Sequence, residues 1–315
     1  MTRYEGAAPP QTPAIGTHDA IEIARRRYLE DTGWRRFQRG VRDFSRRRPL
    51  GTAGAVVILV MMLAALLAPF VAPYDPLEQR FTGLPEAPSL QHLFGTDPFG
   101  RDVFSRIVYG SRTALVVGFT SSLVGSTLGL IFGVVGAYFG GKIDEVIQRV
   151  MDVLISFPLI VLAIAIVAAL GPGTEKVIVA ITIPVIPRVA RVTRASGLAV
   201  VRMPYIEAAR SVGVQAPRIM ARHIAPNVFA PYLILMTAFL GQAILLEATL
   251  SYLGLGVVEP DPAWGNMLRG QGMAFLDQAP WLAIAPGVAI SLAVFGFNLF
   301  GDSLRDALDP RLRTA

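Results

Sequence analysis

Few residues in this chain have the types and spacing for covalent chemistry. It has no Cys, so disulfides and thiolate metal sites are excluded, and the redox compartment is left undecided. Its three histidines, His18, His92 and His223, lie far apart with no carboxylate cluster, so no metal-ligand pattern forms. His223 reads as a structural or docking residue. Gly136-x4-Gly141-Lys142 has the glycine spacing of a phosphate-binding loop. Ile143, however, stands where Ser or Thr is required, and an apolar helix precedes it in place of a strand. No nucleophile–base pair accompanies any of these. Two polar features remain. Glu207 lies in a basic stretch, Tyr205–Pro226, suited to docking. Glu247 lies in the apolar run ILLEATLSYLGLG, where an ionisable group faces a bundle interior or a watery path. A neutral carboxyl, or one paired with a partner subunit, is the alternative. Gln242, Asn298 and Asp302 are further candidates for such a path, and polar contacts between helices account for them equally well.

Composition places these residues in a membrane protein. Of 315 residues, 53% are hydrophobic and 17% charged, against about 45–50% and about 25% in soluble domains. The net charge of +6 raises nucleic acid as a partner, but the position of the charges argues against it. The first apolar run begins at Leu50, behind a long basic segment, so no cleavable signal is visible.

Leu50–Ala72 is uncharged and long enough to cross ~30 Å of hydrocarbon, which makes it the first span. Residues 1–49 form an arm ahead of it. Met1 to His18 is rich in Pro, Thr and Gly and is expected to be disordered. Ile21–Arg48 interleaves arginines with Tyr28, Trp34, Phe37 and Phe44, as an amphipathic helix on an anionic membrane face would. Nucleic-acid binding is the competing reading of that run; its position against a span favours the membrane.

Residues 73–112 are expected to be an extracytoplasmic loop, interrupted by Pro73, Pro76, Pro85 and Pro88. Within it Asp97 and Asp102 are expected to pair with Arg101 and Arg106 on the surface, or to meet another protein. Residues 113–301 hold five further spans: Thr113–Gly141, Val153–Leu170, a kinked one from Lys176 toward Arg194, Asn227 to about Leu255, and Trp281–Gly301. Lys142–Asp152 suits an interfacial helix or a cytoplasmic continuation. Trp264, Trp281 and Tyr252 are expected in an outer aromatic belt. Ser121, Gly125, Gly129, Gly133 and Ala137 recur every fourth residue, giving one helix face on which backbones can approach closely. Residues 302–315 return as a tail. Segments assigned to the inside carry 23 of the 29 basic residues, which predicts both termini cytoplasmic and places the charge at the membrane rather than on nucleic acid.

The stretch Tyr205–Pro226 needs its own account. With Arg202 before it, its arginines Arg210, Arg218 and Arg222 would each cost about 2.5–3.5 kcal/mol at the centre of a bilayer. It therefore lies in water or against protein. Glu207, Ala208, Ala209 and Arg210 form helix, and Gly213 ends it at a joint where positive φ is tolerated. Pro217 opens a second short helix and Pro226 is expected to close it. Two such helices are marginal alone, which implies a partner that packs on them.

Glu207-Ala208-Ala209, then Gly213, then Pro226, resembles the EAA loop of inner-membrane permeases in bacterial and archaeal ATP-driven (ABC) importers. His223 replaces the usual isoleucine and Ala225 the usual leucine; histidine is common in the dipeptide/oligopeptide branch. His92–Arg112 and Gly301–Arg313 also resemble peptide-type permeases, and the likeness, to the C-type subunit, runs from about Arg46 to Arg313. It implies an all-α, polytopic, type I importer permease of six transmembrane helices, with ATPase coupling through Glu207, Ala208, Ala209, Gly213 and Pro226. It also implies a second permease subunit, two ATP-binding subunits that hold ATP and Mg, and an extracytoplasmic peptide-binding protein. No cofactor is expected on this chain itself. An ion-gradient-driven carrier with Glu247 as proton site is the alternative from another class, and so is a membrane-anchored signalling protein. The first has no use for the basic loop, and the second lacks its soluble domain.

Overall fold

The computed structural model describes residues 48–80 and 84–308, with 42, 45 and 46 ahead of them, so the basic arm and the end of the tail lie outside the described residues. Leu50–Ala315 forms one compact unit, separate from Met1–Pro49. Apart from one isolated bridge, Thr96–Asp102, the described residues form helices, turns and loops.

Helix α1, Pro49–Leu66, is apolar throughout, and a short helix α2, Ala68–Val71, follows it. Most of the α1 surface is exposed; its close contact is at Gly54, where an added Cβ would stand 2.6 Å from the Gly296 carbonyl.

Helix α3, Val103–Phe139, begins ten residues before the expected second span. Asp102 caps it, its Oδ2 accepting from the Ser105 amide and hydroxyl at 2.7 Å each. The extra turns carry two arginines, which bond to carbonyls of distant segments. Arg106 donates to Pro76 (3.0 Å) and Pro260 (3.3 Å), and Arg112 to Ala65 (2.5 Å). Helix-end carbonyls and loop carbonyls thus replace solvent, so charge does not mark the end of the helix.

The expected third span is broken. Helix α4 covers Gly141–Ser156 and helix α5 covers Leu159–Leu170, and they meet at 93°. Pro158 caps α5, and Phe157 before it is extended, as a residue preceding proline prefers. Twelve residues rise about 18 Å, too little to cross alone.

Helix α6, Thr174–Val201, passes through Pro184 and Pro187 without a break and packs along α3. The stripe on α3 forms that seam. Cβ atoms added at Gly125, Gly129 and Gly133 would lie 3.0 Å from the Thr182 carbonyl, 2.6 Å from Val189 Cβ and 2.6 Å from the Ala190 carbonyl. Gly118 does the same toward Ile244 of the last but one long helix, so α3 is wedged between two neighbours.

Helix α7, Pro204–Ser211, and helix α8, Ala216–Ile219, follow. A π turn, Met220–Ile224, and a 3-10 turn, Ala225–Val228, then run directly into helix α9, Phe229–Tyr252. Pro226 therefore does not close the second loop helix as expected. At the start of a tight turn its missing amide costs nothing, and the helical path continues. Helix α10, Trp264–Met267, lies within the loop between the last two long helices. Helix α11, Trp281–Leu308, extends past Gly301 and absorbs half of the expected tail. Trp264 is 3% exposed, its indole donating to the Ile107 carbonyl at 3.0 Å. It fills the space beside Gly110 and is not part of an outward aromatic belt.

Among the described residues, four helices are long and apolar enough to cross a membrane, and five if the bent pair counts as one span. Helix α6 has the length for a sixth crossing, but Glu175, Lys176, Arg188, Arg191 and Arg194 keep it outside that set.

Candidate functional site

The stretch Tyr205–Pro226 folds as two short helices over an apolar platform. Ile206, Ile219, Ile224 and Val228 are fully buried against Val134 of α3 and Val200 of α6. The joint follows from hydrogen-bond geometry. Gly213 has φ +80°, its amide donates to the Arg210 carbonyl at 3.0 Å, and the Val214 amide donates to the Ala209 carbonyl at 3.1 Å. That pair of bonds is a Schellman motif, which uses a left-handed residue to satisfy carbonyls at a helix end. Ala209 and Val214 both pack on the platform.

The other side of the same helices is exposed. Glu207, Ala208, Gly213 and Pro226 are all accessible, while Ala209 is half-buried. Val212 is 79% exposed, and Met203 and Tyr205 are also uncovered. Arg210 turns back, its Cζ 4.7 Å from the Tyr138 ring centroid, a distance suited to a cation–π contact. Asn227 donates to the His223 carbonyl at 2.6 Å and to the Tyr205 hydroxyl at 3.3 Å, tying the start of α7 to the π turn. His223 is thus part of the joinery. The site is a lip packed on one side, with one acid, several arginines and an unburied apolar ridge on the other.

Of the four residues proposed for a path, Gln242, Asn298 and Asp302 are exposed and Glu247 is buried. Gln242 is 3.5 Å from Arg188 of α6. Glu247 is 1% exposed and enclosed by its own chain. Its Oε1 accepts from the Ser251 hydroxyl at 2.7 Å, and that hydroxyl accepts from the Val257 amide at 3.2 Å. Asn266 donates to the Val257 carbonyl at 2.7 Å, so the chain of bonds runs from mid-helix to the 254–266 loop.

At the end of the bundle away from the lip, Asp97 and Arg101 do pair, Nε to Oδ2 at 2.6 Å. Asp102 and Arg106 do not. Asp102 takes His92 at 2.9 Å and caps α3, and Arg106 bonds only carbonyls. All four side chains are buried, so this is a packed cluster and not a surface loop. Two ion pairs escaped the sequence reading altogether: Asp144 with Arg194, and Asp152 with Arg191. Their partners lie 50 and 39 residues away, and no local pattern marks them. Among the described residues no group of His, Cys, Asp and Glu is placed to hold a metal.

A helical bundle built on a long stripe-packed pair, with a basic lip at one end, is the architecture of a membrane permease. The chain belongs to the family of binding-protein-dependent transport system inner membrane components, which matches residues 125–314. Residues 32–88 match the N-terminal transmembrane domain of oligopeptide transport permease C. The dipeptide transport system permease protein DppC of Alkalihalophilus pseudofirmus is 42% identical over 85% of this chain and 88% of its own. The glutathione transport system permease protein GsiD of Escherichia coli is 40% identical over 89% and 90%. In structure, the inward-facing MetNI methionine ABC transporter matches 65% of this chain and 96% of its own, with a TM-score of 0.52 at 20% identity, a likeness of fold.

Proposed function

We propose that this chain is the membrane subunit of an ATP-driven importer for dipeptides or oligopeptides. It forms the translocation path with a second permease subunit and receives its cargo from an extracytoplasmic binding protein. Two ATP-binding subunits, which hold the ATP and Mg, dock on the lip formed by α7 and α8. The lip and both termini face the cytoplasm, and the chain crosses the membrane six times. It moves solute and performs no chemistry of its own. Gln242 and Asn298 line the path, and Glu247 holds the 254–266 loop beside it.

One observation carries this reading: the lip is packed below and uncovered above. A buried platform joins it to α3 and α6 and the chain runs on directly into α9, while Glu207, Ala208 and Val212 are exposed. A push on that surface moves three long helices together, which is what alternating access driven from outside requires. Permeases related to this one are named for dipeptide and for glutathione, both peptides. Nickel or another small solute on the same scaffold is the alternative cargo.

The test is co-purification from cells that also express the neighbouring ATPase genes. The wild-type chain is expected to bring the ATPases down, and Glu207→Lys with Val212→Lys to lose them while still inserting. A chain that never associates with an ATPase, and whose uptake collapses when the proton gradient is removed, overturns the reading in favour of a carrier.

A further inference from the structure

Helix α4 packs Asp144, Gln148 and Met151 toward the protein and leaves an apolar stripe exposed beside a charged edge. Asp144 bonds Arg194 (Nε to Oδ1, 2.6 Å), Asp152 bonds Arg191 (2.5 Å), and Met151 is buried. Ile143, Val146, Val150, Val153 and Phe157, spaced three and four apart on one face, are 48–64% exposed. A helix on a water-soluble protein buries such a stripe.

Its position explains the exposed stripe. Helix α5 lies along α6, with Ala163 and Val167 packed on Val177, Ala180 and Ile181, and α4 stands at 93° to α5. Helix α4 therefore runs across α6. Between Asp144 and Asp152 it advances about 12 Å, while their partners Arg194 and Arg191 are only about 4.5 Å apart along α6. Arg194 lies about 30 Å along α6 from Thr174, the thickness of the hydrocarbon core. The Thr174 end is fastened to the opposite loops, where the Gly173 amide donates to the Gly256 carbonyl at 3.0 Å. Helix α4 thus lies flat at the level of one membrane face, the face of the lip. Lys142 and Arg149 are exposed along one border of the stripe.

We propose that α4 is an in-plane lipid-contact helix: its stripe lies among the acyl chains of the leaflet on the lip side, and Lys142 and Arg149 hold anionic phospholipid headgroups. Cations bordering an apolar helix face are placed for this, because their stems stay with the hydrocarbon while their charges reach the phosphates. The inference goes beyond the transport function and does not depend on ATPase docking.

The chain has no cysteine, so Val146→Cys provides a single thiol for a bimane label. The labelled full-length protein is placed in nanodiscs of equal parts phosphatidylcholine and phosphatidylglycerol. Nitroxide on an acyl chain is expected to quench the label more than aqueous iodide does, with a label at Glu145→Cys showing the opposite order. Nitroxide-bearing phosphatidylglycerol should quench roughly two- to fivefold better than the phosphatidylcholine form. The Lys142→Gln, Arg149→Gln double variant should bring that ratio to about one, as its two charges are gone. Val153→Cys repeats the measurement should the first variant fold poorly. Greater quenching by iodide overturns the proposal, and equal quenching by the two lipids overturns the headgroup assignment. Efficient cross-linking of the Val146→Cys thiol to another polypeptide in native membranes would make the stripe a subunit interface instead.

Discussion

Asp144 and Arg194 stand 50 residues apart in the chain and meet through two hydrogen bonds, Nε to Oδ1 at 2.6 Å and Nη2 to Oδ2. The pair pins α4 to α6 beside Gly136, where an added Cβ would lie 2.8 Å from Asp144 Oδ1. The crossing of α4 over α6 and the direction of its apolar stripe both depend on this contact.

Breaking it should loosen α4. Asp144→Ala and Arg194→Ala are each expected to destabilise the protein, and the double variant to lose less than the sum. The pair is partly exposed, so a coupling of about 1 kcal/mol is expected. Thermal unfolding of the three variants in detergent measures it.

The seam between α3 and α6 leaves no room for side chains at the glycines. Gly129→Val should cost about 1–3 kcal/mol, because the added atoms meet Val189 Cβ and the Ile186 carbonyl. Gly287→Ala is the contrast. Nothing lies within 4 Å of its Cβ position, and alanine favours a helix interior by up to about 1 kcal/mol. Thermal unfolding should rank Gly129→Val below wild type and Gly287→Ala at or above it.

At the lip, Gly213 separates backbone from packing effects. Its Cβ position is empty, so Gly213→Ala meets only the positive φ, which costs about 1–2 kcal/mol. Gly213→Pro forces a negative φ and removes the amide that bonds Arg210. Uptake in whole cells should fall modestly for the alanine variant and be lost for the proline variant, at equal membrane levels. Glu207→Lys should give the same loss of uptake without loss of thermal stability, since Glu207 is exposed.

At the opposite end, Asp102 is a helix cap with a second partner. Asp102→Ala should cost about 1–2 kcal/mol and free the first turn of α3. Faster hydrogen exchange at the Ser105 amide, whose bond to Oδ2 is lost, is the readout. Asp102→Asn keeps an acceptor for that amide and should exchange nearly as wild type.

Much of this molecule was legible without coordinates because hydropathy and helical period are local. Uncharged Leu50–Ala72 read as an apolar span, most of which is helix α1, and the arginines of Tyr205–Pro226 marked an exposed stretch. The four-residue recurrence of Gly125, Gly129 and Gly133 defined a packing face, and Gly213 had the one side chain that tolerates the turn it makes. Tertiary structure decided what lies across the chain. Residues 103–112 looked like loop because Arg106 and Arg112 are charged, but carbonyls of Pro76, Pro260 and Ala65, brought in from distant segments, allow them into a helix. Val153–Leu170 looked like one span because a proline bend leaves hydropathy unchanged while turning the axis by 93°. Asp102 chose His92 and the start of α3 over Arg106, and Trp264 went inside to fill the space beside Gly110. Each of these is settled by which groups the packed helices bring within hydrogen-bond reach, and spacing along one chain carries no record of that.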